Sequence, residues 1–152
     1  LFNRALQRRI KEGLLGRVML GDVCTKRDTG GMFISDDAVR DQRRMENDEL
    51  CVTGPMWGPK MRRATDEAGI WETEVMTAMD LSEEHFARIG SLAPGTRRKL
   101  RVWPTDVSAC NDAEGLVVNF TLPAGSFATV LLHEICGPQR TPTIVARGVA
   151  CV

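Results

Sequence analysis

The sequence predicts an α+β fold of mixed helices and short, largely antiparallel strands. Apolar residues recur at helical spacing in several short stretches, an alternating run over 116–122 follows a polar turn, and glycine or proline breaks the chain between them. At 152 residues, 43% hydrophobic and 26% charged, the chain has the make-up of an ordinary globular domain. Twenty Lys and Arg balance twenty Asp and Glu, so the summed field cannot hold a polyanion non-specifically, and any nucleic-acid contact must use a local patch. No apolar run reaches the roughly 18 to 20 residues that span a bilayer, and the N-terminus lacks the apolar core of a secretory signal. A cytoplasmic location with no membrane partner is therefore expected. Five cysteines, Cys24, Cys51, Cys110, Cys136 and Cys151, form no CxxC pair and read as free thiols of a reducing compartment.

Over residues 1–15, Phe2, Leu6, Ile10 and Leu14 share one helical face, with Arg4, Arg8, Arg9 and Lys11 mostly on its other sides, and Gly13 and Gly16 end the helix. Because the chain opens on Leu1 rather than Met, directly into this periodic segment, it reads as cut from something longer or as a partial reading frame. MLGDV and TGGMFIS are strands with a bend at Gly30 and Gly31, and Asp36 and Asp37 cap a helix over DDAVRDQRRMENDEL. CVTGPMWGPKM holds two Gly and two Pro in eleven residues, which predicts a shaped loop, neither helix nor central strand. Trp71, Val75 and Met79 mark a helix from Asp66; Ser82, Glu83 and Glu84 start another carrying Phe86 and Ile89, and both should pack on a sheet. PGTRRKLRVWP enters a strand, and a turn at 111–115 joins an antiparallel pair whose second strand buries Leu116, Val118, Phe120 and Leu122. After Pro123, Gly125 and Ser126, FATVLLHEIC is a helix stopped by Gly137 and Pro138, and the tail beyond has no periodicity.

His133 and Glu134 match half of a helical HExxH zinc site, but Gly137 stands where the second histidine must be, so no metal site is expected. The loop GPMWGPK over 54–60 has the outline of a phosphate loop, yet Pro59 removes an amide and Met61 replaces the hydroxyl, which argues against a nucleoside triphosphate. It does set Lys60, Arg62 and Arg63 beside Trp57 and Met56, cations with a stacking surface that suit RNA; the alternative is a turn whose Trp packs on the core. Arg97, Arg98, Lys99 and Arg101 form the densest cationic run. On a strand, Arg97, Lys99 and Arg101 point one way and Arg98 the other, so one face grips phosphates or the charges guard a sheet edge. Ser126 and His133 sit two helical turns apart, roughly 10 Å, too far for the hydrogen bond of a nucleophilic triad.

Taken in order, LFNRALQRRI, GDVCTKRDTGGMFISDD, TGPMWGPKM, GTRRKLRVWP and FTLPAGSFATVLLHEI resemble the C-terminal part of the tRNA pseudouridine synthase D family, from Leu1 to about Ile135. The resemblance implies a partial version of that fold, with residues 1–92 as the inserted domain and 93–152 as the returning segment of the catalytic-domain sheet with its C-terminal helix. It also implies tRNA as partner, isomerisation of uridine to pseudouridine by an Asp nucleophile, and no metal or organic cofactor. The target base would be unstacked and held against an aromatic face. The family's Gly-x-Lys-Asp and Gly-Asn-x-Phe motifs have no counterpart here, so no catalytic residue is assigned and the chain alone is expected to be inactive.

Carried over residue by residue, Phe127 matches the family's aromatic position around the target base, Arg97 and Arg98 its GTRR segment, and Lys60 its RNA-facing inserted-domain loop. With Trp57, Arg62, Arg63 and Arg101 these make the expected RNA-binding set, while His133 stands where many members have Arg. The returning segment normally pairs with strands this chain lacks, which implies as partner either an N-terminal catalytic half or a second copy of the chain. A non-enzymatic protein-interaction module, indifferent to tRNA, is the alternative function.

Overall fold

Helix α1 (Phe2–Lys11) packs on the sheet that follows it, in a computed structural model that describes residues 1–113 and 115–137; the tail from 138, with Cys151, lies outside the described residues. The buried stripe of α1 differs from the expected one: Ala5 and Arg9 face inward and Ile10 is 52% exposed. Arg9 sets this stripe. Only 2% exposed, it is bidentate on Asp22 at 3.0 and 2.6 Å and donates to the carbonyls of Leu14 and Arg17. A buried guanidinium with a matched carboxylate and extra acceptors can lie where periodicity would put an aliphatic side chain.

β1 (Val23–Lys26) and β2 (Met32–Ile34) pair antiparallel, but β1 lies C-terminal to the expected MLGDV strand and shares only Val23 with it; α2 (Ala38–Glu46) is capped by Asp37, which accepts from the Arg40 amide at 2.9 Å. The Gly-Pro stretch departs from expectation. β3 (Leu50–Met56) runs through Gly54 and Pro55 inside a four-stranded antiparallel sheet ordered β2-β1-β3-β4, with β4 at Thr96–Lys99. Register explains how a proline fits there. The Val52 carbonyl accepts from the Leu100 amide at 3.0 Å, so Gly54 also faces β4 and the Pro55 nitrogen points the other way, past the last β1 pairing at Val52. Gly54 has its own reason: a Cβ there would lie 2.7 Å from Leu100 and 2.9 Å from Phe2, the side chains covering that face.

Cross-strand partners Phe33, Cys24 and Val52 line up with Leu50 under Met45 of α2. A second cluster comes from α3 (Asp66–Thr77) and α4 (Glu83–Ile89), where Trp71, Val75 and Phe86 are buried as their spacing predicts. Cys24 and Cys51 are buried, and burial pushes the Cys24 thiol up to about 12. Two further polar groups are enclosed. Asp41 accepts from Ser35 at 2.8 Å, Arg44 at 2.9 Å and Arg40 at 3.1 Å; burial alone would raise its carboxyl, but these donors outweigh it and hold it below the ordinary carboxylate range. Arg97 of β4, 6% exposed, is bidentate on Glu72 of α3 at 2.9 and 2.7 Å.

Leu1–Arg101 forms one compact unit and Val102–Val152 a second. The expected division between 92 and 93 falls inside the first unit, because β4 pairs with β3 from Thr53↔Lys99 to Met56↔Thr96. In the second unit β5 (Thr105–Asp112) and β6 (Gly115–Thr121) form the expected antiparallel hairpin, followed by α5 (Ala128–Cys136). The face expected to be buried is open: Leu116 is 59% exposed, and Val118, Phe120 and Leu122 are part-buried. Among the described residues this sheet has two strands, too few to enclose a core. No described helix is long and apolar enough to cross a membrane.

A carboxyl depressed in the folded state contributes stability above its unfolded pKa, about 3.9, and loses that contribution as pH falls through the folded value. Urea unfolding of Asp41→Asn is expected to show a loss of about 2 kcal/mol at neutral pH and a shallower decline from about pH 5 to 3 than the parent; equal acid slopes would count Asp41 out. Arg97→Met is expected to cost about 3 to 4 kcal/mol by leaving Glu72 buried and unpaired, and adding Glu72→Leu should return at least half of it. Thermal or urea melts of the single and double variants check this directly.

Candidate nucleic-acid interface

The expected sorting of the cationic run holds only in part: β4 ends at Lys99, so Arg101 lies beyond the strand, and Lys99 is exposed while Arg97 is buried. Its Nε donates to the Thr53 hydroxyl at 3.0 Å, one Nη to the Thr53 carbonyl at 2.7 Å and the other to the Arg62 carbonyl at 3.5 Å, in addition to the two bonds on Glu72. All five guanidinium N–H groups have internal acceptors, so Arg97, expected to bind RNA, is a structural residue that offers nothing to a phosphate. Thr53 is fixed in turn by donating to the Val23 carbonyl at 2.6 Å. Arg98, Lys99 and Arg101 are exposed, and the Arg98 guanidinium lies over the Phe2 ring, 5.1 Å from its centroid.

The loop after β3 approaches the same place from the other side. Gly58 and Gly95 meet backbone to backbone, so closely that a Cβ on Gly58 would lie 2.3 Å from the Gly95 nitrogen and from the Ala93 carbonyl oxygen. The Lys60 amide donates to the Pro94 carbonyl at 2.7 Å. These contacts bring Lys60 against the turn that enters β4, joining two cationic segments far apart in sequence. Lys60 itself is exposed. Arg62 donates to the Met32 carbonyl of β2, and Arg63 forms an ion pair with Glu83 of α4.

Trp57 corrects the expectation of a free stacking surface: it is 8% exposed and packs with Met61 and Phe86. The three side chains floor an open cavity of about 260 Å³ whose rim carries Arg63, Glu83 and Glu84. A second cavity, about 420 Å³, is lined by Lys26, Arg27, Asp28, Arg44, Asp48 and Glu49. Its three cations and three anions balance, with Arg27 and Asp48 paired at 3.6 Å, so it favours neither sign of ligand.

Phe127 belongs to the second unit, as the N-cap of α5, and is 65% exposed, so it is not a core residue at the start of a buried helix. His133 is exposed on the same helix. Among the described residues, no three His, Cys, Asp or Glu side chains come together as a metal site would require. Sequence reasoning missed Glu72 and Thr53, the partners that disqualify Arg97. Each is distant in the chain from Arg97, and nothing in the sequence of α3 sets Glu72 apart from Glu67 and Glu74 on the same helix.

Comparison with known proteins agrees along nearly the whole chain. The family model for tRNA pseudouridine synthase D (TruD) matches residues 1–135. A tRNA pseudouridine synthase D of Anaeromyxobacter sp. (strain Fw109-5) is 39% identical over 135 residues, which are 89% of this chain and 38% of that protein. One from Thermus thermophilus is 38% identical over the same share of this chain and 36% of its own length. A crystal structure of a tRNA pseudouridine synthase D from Methanosarcina mazei superposes with a TM-score of 0.67 at 27% identity, covering 88% of this chain and 35% of that one. The chain thus spans between a third and two fifths of the length of the curated relatives it matches. With one continuous match that spans the first unit and runs into the second as far as residue 135, the chain belongs to the tRNA pseudouridine synthase D family.

Proposed function

We propose that this chain is a tRNA-gripping share of a pseudouridine synthase of the D type, one that isomerises uridine to pseudouridine only together with a catalytic half bearing the Asp nucleophile. The observation that carries the reading is the junction of the Lys60 loop with the entry to β4, where the Gly58 and Gly95 backbones touch and Lys60 bonds Pro94. It brings Lys60 to the turn that enters the strand carrying the exposed Arg98 and Lys99, in a chain whose net charge is zero. Exposed cations joined through a fixed backbone contact on a neutral protein suit a site-directed phosphate grip, and zero net charge leaves little attraction for nucleic acid elsewhere.

Arg98, Lys99, Arg101 and Lys60 take the phosphates in this reading, with Arg62 and Arg63 contributing from positions already tethered to Met32 and Glu83. Phe127, standing out from the start of α5, packs against the unstacked target base once the catalytic half is present. That half also supplies strands along the hairpin, whose apolar residues Val107, Leu116 and Val117 are exposed. The reaction itself is assigned to no residue of this chain.

Binding of unmodified tRNA across a salt series is the test. The parent chain should bind with an affinity that falls steeply with salt, and Lys60→Ala with Lys99→Ala should flatten the log–log slope by about one per lysine removed without changing the melting temperature. The chain alone should form no pseudouridine. Binding that ignores tRNA, or has no salt slope, would overturn the reading in favour of a protein-interaction module.

A further inference from the structure

The cavity beside the Arg63–Glu83 ion pair combines an apolar lining with charges of both signs, unlike a site for phosphate alone. Its floor is the edge of the Trp57, Met61 and Phe86 cluster, its walls include Pro59 and Ala87, and its rim brings one guanidinium against two carboxylates, Glu83 and Glu84. The two carboxylates favour a group rich in N–H donors, because an ionised carboxylate can only accept, while Arg63 is the cation of the mouth that can take a phosphate. The volume, about 260 Å³, is below the roughly 300 Å³ where pockets for drug-sized ligands begin, which fits a single planar ring.

The ion pair is also a poor stabiliser. Arg63 and Glu83 have side chains 54% and 60% exposed, in the class of surface pairs that contribute little. Glu84 makes no hydrogen bond or ion pair among the described residues, and it lines the same mouth. An ion pair that adds little stability can exchange partners readily. A nucleotide offers both replacements at once, a phosphate for Arg63 and a donor edge for the carboxylates.

Among the four bases the choice follows from hydrogen-bond inventory. Guanine presents two adjacent donors, N1–H and the N2 amino group, which one carboxylate can take together. Cytosine and adenine present one amino group, and uracil a single N–H flanked by carbonyls that a carboxylate repels. We propose that this cavity is a subsite for one unstacked guanine of the bound RNA, with its ring against Trp57, Met61 and Phe86, its donor edge on Glu83 and Glu84, and its phosphate on Arg63. The proposal rests on the RNA-binding reading and adds base selectivity to it, separate from the Phe127 position in the second unit.

Titration of the whole chain with the four ribonucleoside 5′-monophosphates, followed through the indole N–H resonances of its three tryptophans, tests it. Trp57 is identified by its loss in Trp57→Phe. Guanosine monophosphate should shift the Trp57 resonance and leave Trp71 in place, with uridine monophosphate weaker by about tenfold. The exposed-site double variant Glu83→Gln with Glu84→Gln should bring the two nucleotides to near-equal affinity, and Ala87→Leu, which fills the cavity from the helix side, should abolish the Trp57 shift. Equal affinity of all four nucleotides in the parent, or a guanosine response that survives Ala87→Leu, would overturn the subsite. If no nucleotide moves Trp57 but tRNA still binds with its salt slope, the subsite fails and the RNA reading stands. If a Lys- and Arg-rich peptide with an aromatic side chain moves Trp57 where nucleotides do not, the cavity is a protein-docking site and the proposal is overturned. Guanosine selectivity without any tRNA binding would uphold the pocket's chemistry and sink the RNA reading.

Discussion

The buried pair between Arg97 and Glu72 is the constraint on which the first unit turns. It crosses from the outer strand of the sheet to α3 and enlists Thr53 of the neighbouring strand, so one guanidinium joins β3, β4 and the helix at a fixed angle. Arg9 and Asp22 do the same between α1 and the entry to β1, with Asp22 also accepting from the Met19 amide at 2.8 Å. A unit of this size has two modest apolar clusters instead of one large core. Ion pairs of this kind add less net stability than apolar packing of equal volume, because desolvation offsets much of their attraction. Their value is directional: a bidentate pair tolerates one relative placement of its two elements, where an aliphatic contact tolerates many.

That direction carries to the surface. With Arg97 fixed inward, strand alternation obliges Arg98 to stand on the opposite face, where Phe2 supports its guanidinium, and the turn before β4 is held to the Lys60 loop by two glycine backbones in contact. Arg98, Lys99 and Lys60, all exposed, are thus carried by segments tied together through their backbones.

Much of this organisation is legible in the residues. The helices from Asp66 and from Ser82, the Asp37 cap and the β5–β6 turn depend on neighbours within a few positions, and local spacing is enough to read them. β3 is not, because whether Pro55 can sit in a sheet depends on where β1 stops, a fact of tertiary register. Arg9 and Arg97 look like solvent-facing cations in sequence for the same reason: only the fold brings Asp22 and Glu72 to them. The cationic cluster is half legible, since Lys60, Arg98, Lys99 and Arg101 are exposed while Trp57 and Arg97 are enclosed. In the hairpin the alternation identifies the strand but not its surroundings, for a pattern that suits burial does not say whether anything lies on top.

The distribution of thiols sets where chemical damage begins. Cys24 and Cys51 sit in the sheet with their thiols protonated by burial, whereas Cys110 lies exposed on β5. Peroxide and alkylating reagents attack cysteine as thiolate at accessible sulfur, so the two thiols of the four-stranded sheet resist both while Cys110 meets them first. A sulfenic acid at Cys110 would add a polar, condensing group to the element with the least packing around it. Thiol oxidation in a purified sample would then begin in the second unit, while the buried thiols of the first stay protected.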